Sequence, residues 1–146
     1  NCFKTKLNKI NFKKIAKNYD FIVDGSDNFK TKFIINYLSL KLKKFLVTGA
    51  ISKFDGHIFT FDFTDKNTPC IRSFFQDDTI TDDVLNCEYE GILGTVAGII
   101  GTIQANEILK KILSIGQDLN GFILILDLLN LSFRKVKLKK LKNVPG

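Results

Sequence analysis

Methionine and tryptophan are absent from these 146 residues, proline occurs twice, cysteine three times and histidine once. Each scarcity closes something off. Three cysteines cannot staple a disulfide scaffold, and Asn1-Cys2-Phe3-Lys4 opens no apolar run that could export the chain, so the expected compartment is the reducing cytoplasm. The longest apolar stretch, residues 92–103, is interrupted by three glycines and falls short of the ~20 residues that span a bilayer, so no membrane partner is expected. Without a methionine the chain lacks a start residue and reads as a fragment of a longer polypeptide. Only Arg72 and Arg134 among the 22 basic residues are arginine. The net charge of +7 favours acidic partners by long-range steering, but lysines spread from Lys4 to Lys142 do not form the clustered basic patch of a nucleic-acid binder.

What is present is a globular composition. Hydrophobic residues make up 45% and charged residues 25%, and 14 phenylalanines can fill one core. No repeat, low-complexity tract or linker divides the chain, so residues 1–146 read as a single domain. Helical spacing of Phe12, Ile15 and Ala16 predicts a first helix over 11–18. Phe21-Ile22-Val23 reads as a buried strand ending at Asp24-Gly25-Ser26-Asp27. An amphipathic helix is predicted over 28–44, with Phe33, Ile34, Tyr37, Leu38 and Leu42 on its apolar face. Phe45-Leu46-Val47-Thr48 follows as a second strand closed by Gly49-Ala50, and this strand–helix–strand order predicts a parallel pair. A turn at 54–56 leads into a strand over 57–63. Residues 64–90 look like a long polar excursion. A helix is predicted over 91–115, capped by Gly116, with Gly94, Ala97, Gly98 and Gly101 giving it a small-residue side for close packing on the sheet or a partner subunit. Two strands, 122–128 and 131–138, close the chain as an antiparallel hairpin. The tract 134–142 alternates basic and apolar residues like a half-exposed edge strand guarded by lysines. The whole is α/β, the second half of a mixed sheet.

Chemistry is expected at the carboxyl end of the first strand, where a parallel α/β sheet places its ligands. In Asp24-Gly25-Ser26-Asp27-Asn28, a carboxylate can hold a metal and Asn28 can bond a ligand or cap the next helix. A second reading, that Ser26 or Asp27 merely N-caps that helix, stands beside it. Asp24 is expected to order the turn. Cys87, just before a helix start, is either a reachable nucleophile or an inert packed side chain. Cys70 stands in Pro69-Cys70-Ile71-Arg72-Ser73, one residue short of a Cys-x-x-Cys. A closed zinc site wants four ligands that this chain does not offer. His57 lacks a nucleophile at motif spacing and reads as a surface or strand-pairing residue. No Gly-rich phosphate loop is visible.

Taken together, Val23-Asp24-Gly25-Ser26-Asp27-Asn28-Phe29 with Asn36, Gly49-Ala50-Ile51-Ser52-Lys53-Phe54-Asp55-Gly56, Pro69-Cys70, Asn86-Cys87-Glu88 with Gly91, and Gly101-Thr102-Ile103-Gln104-Ala105-Asn106-Glu107 resemble the ThiF/MoeB/HesA adenylyltransferases, bacterial relatives of ubiquitin-activating enzymes. The resemblance implies a Rossmann-like mixed sheet, here its C-terminal part, with flanking helices and a C-terminal hairpin. It implies ATP- and Mg²⁺-dependent adenylation of the C-terminal glycine of a ubiquitin-like sulfur carrier, for thiamine or molybdopterin biosynthesis, by a homodimer. Asp27 matches the family's magnesium and ATP aspartate, and Asn28 stands beside it in the cofactor-binding motif. Cys87 matches a cysteine that some members use for a covalent intermediate. Cys70 matches one of four zinc cysteines, and with Ser73 in the second place it is a remnant, so zinc is not expected. The family's phosphate loop would lie upstream of Asn1, so this chain alone is not expected to adenylate. The rival readings are a catalytically incomplete module that docks a carrier or a subunit, and a nicotinamide-dependent Rossmann enzyme.

Overall fold

The computed structural model describes residues 1–75 and 91–140. Its elements are helix α1 (Lys9–Ala16), strand β1 (Phe21–Asp24), helix α2 (Phe29–Lys41), strands β2 (Phe45–Ser52) and β3 (Asp55–Asp62), a 3-10 turn at Ile71–Ser73, helix α3 (Gly94–Leu113), and strands β4 (Phe122–Asp127) and β5 (Ser132–Lys137). One sheet runs in the order β1-β2-β3-β4-β5. Strand β1 pairs with β2 in parallel, Asp24 opposite Thr48, and every later pair is antiparallel. The mixed α/β sheet and the closing hairpin therefore stand as expected from the sequence.

Alternation along the strands divides the core between the two faces of the sheet. Leu46, Phe59, Phe61 and Ile123 face α1, α2 and the 3-10 turn, packing with Phe12, Ile35, Leu38 and Ile71. Phe45, Val47, Ile58 and Leu126 face α3 and meet Val96 and Ile100. No helix among the described residues is long and apolar enough to cross a membrane.

Several boundaries differ from the sequence reading, each for a local reason. Helix α1 starts two residues earlier than predicted, because Asn8 caps it and Asn11 returns a bond to the Asn8 backbone. Strand β2 does not close at Gly49-Ala50 but continues to Ser52. It is prolonged by pairing with β3 through a tight turn in which Lys53 takes a left-handed backbone conformation (φ 47°). The turn is thus one residue earlier than 54–56. The excursion after β3 begins tucked in: Thr68, Pro69, Cys70 and Ile71 are buried. Helix α3 ends at a left-handed Ser114 (φ 53°), ahead of Gly116. Strand β5 is exposed along its whole length, where half-exposure was expected.

The glycines of α3 do not serve the close packing expected of them against the sheet. A Cβ on Gly94, Gly98 or Gly101 would meet nothing within 4 Å. The close approach of helix and sheet is made by strand glycines. A Cβ on Gly49 would lie 2.9 Å from Ile100 Cγ2, and one on Gly56 2.3 Å from Ile100 Cδ1. Ile100 therefore seats in a depression of the sheet that only glycine leaves.

Candidate functional site

Strand β1 stops at Asp24, while its neighbour β2 runs four residues further with pairing only on the β3 side. The step between them is the floor of a cavity of about 290 Å³. Gly25, Ser26, Asp27 and Asn28 form one rim, and Lys32 and Gln104 contribute to its polar surface. Ile51, Ile92, Ala97 and Ile100 form an apolar wall. The wall is completed where Ile92 bridges to Lys53 at the tip of the β2–β3 turn. This is the strand-end position at which α/β sheets bind ligands.

The floor is built around Asp24, whose side chain is 2% exposed. Its Oδ1 accepts the Ser26 N–H at 2.8 Å, which orders the turn as expected. Its Oδ2 accepts Thr48 Oγ1 at 2.5 Å and faces Lys32 Nζ at 3.4 Å. Lys32, 5% exposed, also donates to the Gly49 carbonyl. From the other side of the sheet Gln104 Nε2 donates to the Asp24 carbonyl at 2.9 Å and the Val47 carbonyl at 3.3 Å. A buried carboxylate with a cation and two further hydrogen-bond donors is a satisfied group, fixed rather than reactive.

Three residues on, Asp27 is exposed. Asn28 Nδ2 donates to Asp27 Oδ1 at 3.0 Å, and this bond does most to hold the Asp27 carboxyl below the ordinary carboxylate range. The Asp27 backbone N–H and the Lys32 charge add to it against slight desolvation. Asn28 has a second task. Its Oδ1 accepts the Thr31 N–H at 2.8 Å, so Asn28 is the N-cap of α2, and neither Ser26 nor Asp27 fills that place. Ser26 Oγ is buried without a hydrogen-bond partner among the described residues, on the rim of the same cavity.

The sequence-predicted residues therefore separate. Asp27 and Asn28 come together at the rim. Cys70 does not join them: it is buried with Phe63 and Ile71 in the core facing α1 and α2. His57 lies mid-sheet between Ala50 and Ile125, and burial lowers its pKa. Cys87 lies outside the described residues. Among those residues no group of three or more His, Cys, Asp or Glu side chains converges on a metal position. Mg²⁺ asks for less, since it keeps several waters and takes one or two carboxylates plus substrate phosphates. An ionised, exposed Asp27 beside an unbonded serine hydroxyl fits that demand.

Sequence reasoning gave no role to Lys32, Thr48 or Gln104, although Gln104 stands in the motif 101–107. A signal for two of them was present. The buried residues of α2 are Phe29, Lys32, Ile35, Asn36, Leu38 and Ser39, with the polar Lys32, Asn36 and Ser39 recurring at four- and three-residue spacing within an apolar pattern. Gln104 likewise interrupts the apolar side of α3. Asn36 accepts the Ile71 N–H at 3.3 Å and so ties α2 to the 3-10 turn.

Comparison with known proteins bears on family and fold. The sequence pattern of the ThiF family matches residues 1–145. A probable molybdopterin-synthase adenylyltransferase of Gracilaria tenuistipitata is 36% identical over 144 residues, covering 99% of this chain and 40% of that protein. A sulfur carrier protein adenylyltransferase of Thermus thermophilus is 34% identical over 146 residues, covering 98% of this chain and 54% of that protein. The chain thus spans about half or less of the length of these relatives. Among solved structures, E. coli MccB with MccA superposes with a TM-score of 0.74 at 10% identity, covering 96% of this chain and 42% of that one. MccB with ATP gives 0.72 at 9% identity, covering 94% and 42%. At such identities the structural likeness concerns the fold alone.

Proposed function

Because the chain belongs to the ThiF family, as the match over residues 1–145 shows, we propose that it serves in the ATP-dependent adenylation of the C-terminal glycine of a ubiquitin-like sulfur-carrier protein. The observation that carries this reading is the exposed Asp27 carboxylate, held by Asn28 on the rim of a cavity above parallel strand ends. The names of the relatives support a sulfur carrier as the substrate, for thiamine or molybdopterin biosynthesis.

Asp27 and Asn28 would hold Mg²⁺ and the phosphates of ATP at the rim. When bound, the ion supplies positive charge against that developing on the phosphates. The rest of the work belongs to the chain. Asn28 orients Asp27 and lowers its pKa further below the ordinary carboxylate range. The N-terminus of α2, which opens on the cavity at Asn28 and Phe29, adds backbone N–H groups and a partial positive charge that suit phosphate. Ser26 Oγ offers a further donor. Ile51, Ile92 and Ile100 exclude water from the side opposite the rim. Adenylation requires no protein nucleophile, because the carrier carboxylate itself attacks the α-phosphate, so Cys87 is assigned to a later acyl or sulfur transfer. Zinc has no assigned place, since Cys70 is committed to the core and Ser73 stands in the second ligand position. A cytoplasmic homodimer completes the reading.

The test is ATP–pyrophosphate exchange by the intact gene product with candidate carrier proteins. Asp27→Ala is expected to lower exchange by about 100-fold or more, the usual cost of misplaced charge stabilisation, with its thermal melt close to wild type. Equal exchange in the two proteins would end the magnesium assignment. No exchange in the wild type with any carrier would favour the docking module.

A further inference from the structure

Gln104 reaches the site from the opposite side of the sheet to α2, and its amide nitrogen donates to backbone carbonyls. Its side chain is 5% exposed and lies flat against Gly49, where a Cβ would sit 3.0 Å from both Gln104 Cδ and Oε1. One amide nitrogen serves two backbone carbonyls, that of Asp24 on β1 and that of Val47 on β2. Asp24 is the last residue of β1, and the next residue, Gly25, has open space around its Cβ position. Among the described residues, two hydrogen-bonded anchors flank the turn that carries Asp27. One is Asn28, through the cap on α2; the other is Asp24, through its side chain and through the Gln104 bond to its carbonyl.

We infer that Gln104 is a positioning residue for Asp27. It fixes the height of the β1 end relative to β2 and so the place of the carboxylate at the rim. The inference rests on the reading of Asp27 as the metal-binding group. A displacement of about 1 Å of such a group costs on the order of 100-fold in rate.

The test uses the intact gene product with two variants, Gln104→Met, which keeps volume and removes the donor, and Gln104→Asn, which keeps the donor and shortens its reach. Amide hydrogen exchange is read at Ser26, whose N–H bonds Asp24 Oδ1, and along β4 and β5. Ser26 is expected to exchange at least tenfold faster in both variants, with β4 and β5 unchanged. Exchange of ATP with pyrophosphate should fall about 100-fold in kcat with little change in the ATP KM, and more Mg²⁺ should be needed for half-activity. Unchanged Ser26 protection in the folded variants overturns the inference. So does failure of both variants to fold, which would make Gln104 a structural residue only. A wild type without adenylation activity, in which the variants still loosen Ser26, removes the function proposed above and keeps the mechanical coupling.

Discussion

Asp24 and Asp27 stand three residues apart on one strand end, and the chain treats them in opposite ways. Asp24 is 2% exposed and bonded to Ser26, Thr48 and Lys32; Asp27 is exposed and bonded by Asn28 at the surface. The floor of the cavity is thus a closed polar network, and the rim is an open one. A carboxylate enclosed by its own donors has little lone-pair capacity left for a ligand, whereas one held from a single side keeps the other side open. Sequence proximity therefore does not decide which carboxylate is open to a ligand here; burial and saturation do.

The largest expected effect lies in the floor. Lys32→Met removes the cation beside Asp24 and leaves that carboxylate buried with hydroxyl and amide donors alone. Breaking a buried pair on one side costs about 3–5 kcal/mol, so urea denaturation should show a loss of that order. Asp27→Ala at the rim should change stability by no more than about 0.5 kcal/mol. A Lys32→Met protein as stable as Asp27→Ala would erase the distinction between floor and rim.

Glycines sharpen the same contrast at a smaller scale. Gly49→Ala places a methyl 2.9 Å from Ile100 Cγ2 and 3.0 Å from Gln104, between two buried side chains that have little room to yield. Overpacking of that kind costs about 1–3 kcal/mol. Gly25→Ala meets nothing within 4 Å, and Gly25 has no positive φ, so it should be neutral or stabilising by up to about 1 kcal/mol. Thermal melts of the two variants suffice, and similar losses in both would count against a rigid floor.

This contrast also marks how far the sequence was legible. The strand–helix–strand unit, the closing hairpin and the special position of Asp27 were readable, because strand-end carboxylates and apolar periodicity are local signals. Thr48 was not, and Lys32 and Gln104 left only polar breaks in apolar patterns that named no partner. Their roles depend on which strand ends lie side by side, and the bonds of Thr48 and Gln104 to Asp24 span 24 and 80 residues. The small residues of α3 did not reveal the sheet contact for a related reason. Spacing identifies a small-residue side but not what faces it, and the tight contact belongs instead to Gly49 and Gly56 on the sheet.

Asn28 joins rim to helix, and Asn28→Ala should show both roles at once. Loss of the Thr31 cap costs about 1 kcal/mol. Loss of the bond to Asp27 should move that carboxyl back toward its ordinary range, detectable by side-chain NMR titration. An unchanged Asp27 titration would show that the Asp27 backbone N–H or Lys32, not Asn28, keeps it low.

The smallest effect is the pH dependence contributed by Asp27. Its folded pKa lies below its unfolded value, through the Asn28 bond first, then its backbone N–H and the Lys32 charge. The unfolded chain therefore binds its proton more readily. The stability Asp27 adds is present above the unfolded value and is lost as pH falls through the folded one. Because Asp27 is exposed, solvent screening holds this contribution to a few tenths of a kcal/mol. The stability difference between wild type and Asp27→Asn should accordingly be flat above about pH 5 and shrink as the solution is acidified toward and below the ordinary aspartate range. A difference that grew on acidification would mean that Asp27 is protonated more easily in the folded protein, and Asn28 would then not be keeping the rim carboxylate ready for a cation.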